Sequence, residues 1–335
     1  MDPISQAAFG CAASTAIAKK AHTKPALICG IIGGMAADLD IFIKSDTDPL
    51  LSLEFHRHFT HSIFFIPFGG FLVATFCFFL FRKRYGFKLL FTLSSISYAT
   101  HGILDACTSY GTLLFWPLYN QRIAFDNIAI IDPLFTLPLM SLMIIYIVKQ
   151  NPKFGKIALI YAALYLSLGY IQKLRVKSEI HQLAKAQNHT IEKLKLNPTI
   201  GNIILWRGVY KFGDKYYINA IRKPILGATK IYKGNTVNYL DISNILGTIP
   251  KNSPIVHDLK RFHLFSQGFI YHYPYDKNII ADLRYSTLPN NAESLWGIKL
   301  NQNNYTKHVE YIFLRNFTDE KIKTFKTMLS GKPIT

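Results

Sequence analysis

The chain has 335 residues, enough for two domains, and half of them are hydrophobic while only 17% are charged, which argues against a purely soluble protein. The formal net charge of +18 is uneven: residues 172–335 hold 25 of the 38 Lys and Arg but 11 of the 20 Asp and Glu, so the surplus belongs to the C-terminal half. Such a surplus suits an anionic membrane surface or acidic partner, or is a solvated lysine-rich face; with no zinc-finger, RNP or basic-zipper pattern beside it, no nucleic acid is expected.

Residues 4–18 and 26–37 are apolar and rich in small side chains, with Lys19, Lys20, His22 and Lys24 between them. Each is shorter than the roughly 20 residues of a full span, so both are expected as tucked or half-spanning helices that pack closely through Gly and Ala. The opening residues lack the basic stretch of a signal peptide, and the scattered Cys11, Cys29, Cys77 and Cys107 form no CxxC pair. The second apolar segment ends in Asp38-Leu39-Asp40, two carboxylates that packing alone does not call for.

A polar loop then leads to His56-Arg57-His58-Phe59-Thr60-His61-Ser62 and into residues 60–81, long enough to span. Arg82, Lys83 and Arg84 follow it and mark a cytoplasmic end. Residues 89–104 return as an apolar helix that delivers His101 and Asp105, four apart and so on one helix face. Residues 106–127, with Tyr110, Trp116 and Arg122, read as an interfacial loop. Residues 128–148 begin with Asp132-Pro133 and end at Lys149, Lys153 and Lys156, and residues 157–171 form a further span. If the basic clusters are cytoplasmic, Asp38, Asp40, His56, His61, His101, Asp105 and Asp132 all fall on the opposite face.

From residue 172 the character changes. Residues 173–196 read as an amphipathic basic helix stopped by Pro198, and the remainder mixes β-rich runs such as 202–209 and 215–221 with Gly, Asn and Pro turns. The expected fold is an all-α polytopic membrane domain (1–172), an amphipathic basic linker helix (173–197), and a mainly β, α+β soluble domain (198–335).

Imidazoles and carboxylates gathered at one membrane face are what a divalent metal needs, and ionisable groups at such positions are costly to desolvate without a function. Asp38, His56, His61, His101 and Asp105 are the expected ligands, of zinc first and manganese second. Asp40 or Asp132 is the spare carboxylate to take a proton, and Arg57 and Arg122 are expected either to hold a substrate anion or to touch lipid headgroups. Membrane lipids and an amphiphilic or anionic substrate, an ester or phosphoester, are the expected partners. A non-enzymatic scaffold or partner-binding protein with a structural metal stands as the alternative.

The run Met1-Asp2-Pro3, Ala37-Asp38-Leu39-Asp40, His56-Arg57, Thr60-His61-Ser62, His101 with Leu104-Asp105, Tyr110-Gly111-Thr112 and Ile131-Asp132-Pro133 resembles the YdjM/YbcI-like family of bacterial inner-membrane proteins, for which metal-dependent hydrolysis is inferred from motifs. Leu205-Trp206-Arg207, Asp282-Leu283-Arg284-Tyr285 and Leu295-Trp296-Gly297 are similar to the soluble tail of longer members. The resemblance implies a multi-pass inner-membrane protein with a His/Asp metal site; the basic clusters, read as cytoplasmic, put the soluble domain with that site on the periplasmic or extracytoplasmic side. The HxxxD spacing is also similar to that of zinc-dependent phospholipase C and nuclease enzymes. One departure stands out: Ser5-Gln6 occupies the place where the family usually has Thr-His, so a ligand from that histidine is expected to be missing or replaced by water.

Overall fold

Caps and prolines set where the apolar runs of the N-terminal region become helices. In the computed structural model, which describes residues 1–300 and 305–334, α1 (Pro3–Ile17) starts where Asp2 accepts a hydrogen bond from the Ser5 amide and Pro3 takes the first turn. Then come α2 (Thr23–Ala36), a 3-10 segment (Ala37–Phe42), α3 (Leu51–Phe55), 3-10 turns at Phe59–His61 and Ile63–Phe65, α4 (Ile66–Leu80), α5 (Phe87–Cys107), α6 (Pro133–Lys149) and α7 (Lys153–Ala186). Three stretches, Lys20–Phe42, Ile63–Leu80 and Lys153–Ala186, are long and apolar enough to cross a membrane, and α6 is a shorter apolar helix.

The first compact unit is Met1–Phe42, Phe55–Ile171 and Ile200–Ile203. Its interior is built from small and medium side chains: Ala8, Cys11 and Ala12 of α1 meet Leu104, Phe135, Leu139, Met143, Ala158 and Tyr165, while Cys29, Val73, Ala74, Cys77, Leu90 and Leu93 join α2, α4 and α5. All four cysteines are free and buried. Its helices turn apolar side chains outward, with Phe68, Phe71, Phe76 and Phe79 of α4, Ile144 and Val148 of α6, and Ile160 and Leu164 of α7 exposed. That inversion is what a lipid environment permits.

The second unit is Ile43–Glu54, Gln172–Thr199 and Ile204–Thr335. The expected helix over 173–196 differs here in two ways. No helix breaker separates the apolar run from it, so α7 continues unbroken from Lys153 to Ala186. The helix stops before Asn188, whose φ is 58°, and Lys193–Pro198 is a strand, β1, because Leu194 and Leu196 alternate with lysines at the period of a strand.

Strands β1, β2 (Leu205–Phe212), β3 (Lys215–Arg222) and β4 (Lys230–Asn238) form one antiparallel meander. After α8 (Ile242–Leu246) and α9 (Pro254–Phe265), strands β5 (Ile270–Tyr273), β6 (Asp276–Asp282), β7 (Trp296–Lys299) and β8 (Glu310–Phe313) form another, and α10 (Asp319–Ser330) follows. The two sheets share a core of Val209, Tyr216 and Ile218 with Phe269, Tyr271, Ile279, Ala281 and Leu283. Val176, Ile180 and Ala184 of α7 pack on Trp206, Tyr210 and Ile221. Arg207 is buried and ties the sheets by donating to the carbonyls of Leu283 (2.8 Å), Pro289 (3.0 Å) and Asn291 (2.7 Å); burial pulls its guanidinium down to about 10.

Residues 43–54 belong to this second unit although they lie in sequence between Asp40 and His56. Leu50 is buried, and Arg261 of α9 grips Asp48 with both nitrogens (2.7 and 2.8 Å) while reaching Glu54 (3.0 Å) and Asp258 (2.6 Å).

Candidate metal centre

Close backbone approach brings the polar residues of the first unit together. At Gly34 a Cβ would stand 2.5 Å from the Gln6 carbonyl oxygen, so only glycine lets α1 and α2 touch there. At Gly102 a Cβ would stand 2.3 Å from the His61 carbonyl oxygen, so glycine beside His101 is what admits the Phe59–His61 turn against α5. The chain enters that turn through Arg57, whose φ of 62° reverses its direction, and the Arg57 amide (2.9 Å) and the Thr60 hydroxyl (2.8 Å) both donate to Asp40 Oδ2.

These constraints converge four ligand atoms. His61 Nε2 lies 3.2 Å from Asp105 Oδ2 and 3.5 Å from Asp38 Oδ1; His101 Nε2 lies 3.2 Å from Asp38 Oδ1 and 3.6 Å from Asp105 Oδ2. All four atoms are buried and none has a hydrogen-bond partner. A tetrahedron with metal–ligand bonds of about 2.0–2.1 Å has edges of about 3.3–3.4 Å, so the spacing fits a four-coordinate ion.

The outer nitrogens of the two imidazoles point the same way. His101 Nδ1 is 2.6 Å from the Gly34 carbonyl oxygen, and His61 Nδ1 is 3.2 Å from Asp40 Oδ2. A carbonyl only accepts, so His101 carries a proton on Nδ1, and in the neutral ring the Nε2 lone pair faces the carboxylates. Lone pairs facing carboxylate oxygens at these distances repel unless a cation sits among them, and an imidazole oriented by a carbonyl or carboxylate is the usual support of a bound metal. The residues therefore fit a divalent ion.

Asp105 is also held from behind. The Met1 amino group and Gln6 Nε2 (3.0 Å) donate to its Oδ1, and Arg57 Nε lies 3.0 Å from its Oδ2. Gln6 is fully buried and its Oε1 has no partner.

His56 stands outside the four, its Nδ1 2.8 Å from Asp40 Oδ1, and with Asp38 and Asp40 it forms a second, adjoining ligand group. Asp40 has both oxygens engaged by His56, His61, Thr60 and the Arg57 amide. Asp132 is not brought to this centre: its Oδ1 caps α6 through the Leu134 amide and its Oδ2 accepts from the Tyr165 hydroxyl at 2.8 Å. Arg57 is buried and also donates to Thr108 (2.9 Å), whereas the half-buried Arg122 donates to the His56 carbonyl (2.8 Å). Their guanidiniums lie 5.0 and 5.4 Å from the ring of Tyr110.

The centre opens on one side. The side chains of His61, His101 and Asp105 are wholly buried, but that of Asp38 is 24% exposed and that of His56 27% exposed. Leu39, Ile41 and Phe42, beside Asp38 in the chain, are exposed and apolar. The sequence reading missed the supports, namely the Gly34 carbonyl and the Gly102 contact; a glycine beside the histidine of an HxxxD helix was the available signal.

Fold and site together define a membrane protein with a helical region that encloses a buried His/Asp centre, followed by an α+β region. The family model of the YdjM inner membrane protein matches residues 1–176, and the chain belongs to that family. No curated protein and no solved structure matches the chain.

Proposed function

We propose that the protein is a membrane-bound metal-dependent hydrolase acting on an ester or phosphoester of an amphiphilic substrate. The observation that carries this reading is the convergence of four buried ligand atoms from Asp38, His61, His101 and Asp105. Their two-nitrogen, two-oxygen donor set suits zinc first and manganese second. A bound ion that takes a water beside these four ligands would acidify it and polarise the scissile oxygen. Asp40 orients His61 and His56, and the His56–Asp40 pair, at the open side, is the group we assign to accept the proton. Asp132, fully buried as a helix cap, is less suited to that task. Arg122 is the better placed of the two arginines to meet an anion, because Arg57 is turned inward on Asp105. The apolar Leu39, Ile41 and Phe42 favour a substrate with an acyl or prenyl chain.

The same reading puts the centre and the C-terminal region on the non-cytoplasmic side of the inner membrane. Arg82, Lys83 and Arg84 follow α4, Lys149 ends α6, and Lys153 and Lys156 lie in the first turn of α7, at helix ends that carry none of the site ligands. A second reading, a metal that only ties helices together, draws on the complete burial of His61, His101 and Asp105.

Metal content of the detergent-purified protein, followed by turnover of phospholipid and lipid-linked phosphate in mixed micelles, tests both. The expected result is metal in the wild type, its loss in His101→Ala and Asp105→Ala, its retention in His257→Ala, and turnover that follows metal content. Equal metal in wild type and His101→Ala overturns the centre. Bound metal without turnover of either substrate leaves the structural reading.

A further inference from the structure

The turn between β3 and β4 presents two large apolar side chains outward: Ile225 is 50% exposed and Leu226 is 88% exposed, the most exposed large hydrophobic residue among those described. This turn is not loose. Gln172 of α7 donates to the Lys223 carbonyl at 2.7 Å, and Arg175 to the Ile225 carbonyl at 3.2 Å. One helical turn further, Glu179 accepts from Lys223 Nζ (2.6 Å) and from the Thr229 hydroxyl (3.0 Å). Residues 172, 175 and 179 share one face of the helix, so the turn is stapled along it. Gly227, at φ 106°, supplies a backbone conformation that other residues rarely adopt.

The height of those staples follows from the helix. Lys153 and Lys156 mark one end of the apolar part of α7, which continues unbroken. At 1.5 Å per residue, Gln172 lies about 24 Å and Arg175 about 28 Å beyond Lys156, against a hydrocarbon core about 30 Å thick. The far boundary of the core therefore falls close to Arg175. Leu174, Ile171 and Tyr170 are exposed on the same stretch, in keeping with lipid contact, and Lys173, Arg175 and Lys177 bring charge to the helix where that boundary falls.

We propose that residues 223–229 are an interfacial anchor, with Ile225 and Leu226 inserted at the headgroup and acyl boundary of the bilayer in which α7 is embedded. The turn fixes the α+β region against the lipid surface through α7, and it does so whether or not the His/Asp centre binds metal.

The test uses the full chain in phosphatidylcholine and phosphatidylglycerol vesicles. The native cysteines are all buried, so an environment-sensitive fluorophore on Leu226→Cys is selective. The same label on Leu264→Cys, an exposed apolar position on α9, serves as the comparison. Insertion predicts loss of emission at 226 with lipid carrying a shallow doxyl quencher and protection from aqueous iodide, to a degree that exposure alone, as at 264, does not require. Iodide quenching at 226 without doxyl quenching overturns the proposal. So does shielding from both quenchers, which means that protein covers the turn.

Discussion

Replacing Gly102 by alanine adds a single methyl group and strikes the metal centre through geometry alone. The new Cβ would stand 2.3 Å from the His61 carbonyl oxygen, where ordinary carbon–oxygen contact requires about 3.3 Å, so the Phe59–His61 turn must retreat by about 1 Å. The edges that His61 Nε2 makes with Asp105 and Asp38, 3.2 and 3.5 Å, would open by a similar amount. Metal–ligand bonds tolerate about 0.2 Å, so His61 drops out of reach. Overpacking of this size costs about 1–3 kcal/mol, too little by itself to unfold a helical bundle. The expected outcome is a protein with native circular dichroism and unchanged detergent extraction, and a metal affinity lowered by at least about 100-fold, the upper end of what loss of a supporting group costs. Gly86→Ala, where a Cβ meets nothing within 4 Å, is the silent control. Calorimetric titration of zinc into the metal-stripped proteins measures both. An unchanged isotherm for Gly102→Ala, with the fold intact, would refute the claim that this contact sets the position of His61.

Two further outcomes are expected. Gln6 sits 3.0 Å from Asp105 Oδ1 with its Oε1 partnerless, so Gln6→His should raise metal content or affinity without changing the fold, and identical titrations would make Gln6 a packing residue only. The Arg261 guanidinium beside Asp48 holds its carboxyl below the ordinary carboxylate value, so this ion pair stabilises the anchoring of residues 43–54 above that value and loses its effect as pH falls through the depressed one. Hydrogen-exchange protection of residues 43–54, corrected for intrinsic rates, should be flat from pH 8 to about pH 5 and fall below about pH 4. Asp48→Asn, which keeps an acceptor for the Leu50 amide, should be less protected already at neutral pH; equal protection in both proteins would show that the pair does not hold the loop.

Much of this protein is local information. The apolar runs, the basic clusters at 82–84 and 149–156, the i, i+4 pair His101 and Asp105, and the strand alternation in residues 205–222 depend on near neighbours in the chain, and each was legible without coordinates. Which ligands share a centre was not, because the rotation of each helix about its axis is set by contacts such as Gly34 on Gln6 and Gly102 on His61, far apart in sequence. Asp132 looks like any other carboxylate at the end of an apolar run, and only the helix it caps and the Tyr165 hydroxyl it receives show how its oxygens are used. The same holds for residues 43–54, whose polar sequence marks a loop but not its attachment to Arg261 more than 200 residues away. Sequence alone determined where the apolar runs lie and which residue types stand at their ends, although not that the helix from Lys153 gives way to a strand at Lys193–Pro198. Tertiary structure decided which of those ends meet, since an imidazole or carboxylate becomes a ligand through its distance to the others.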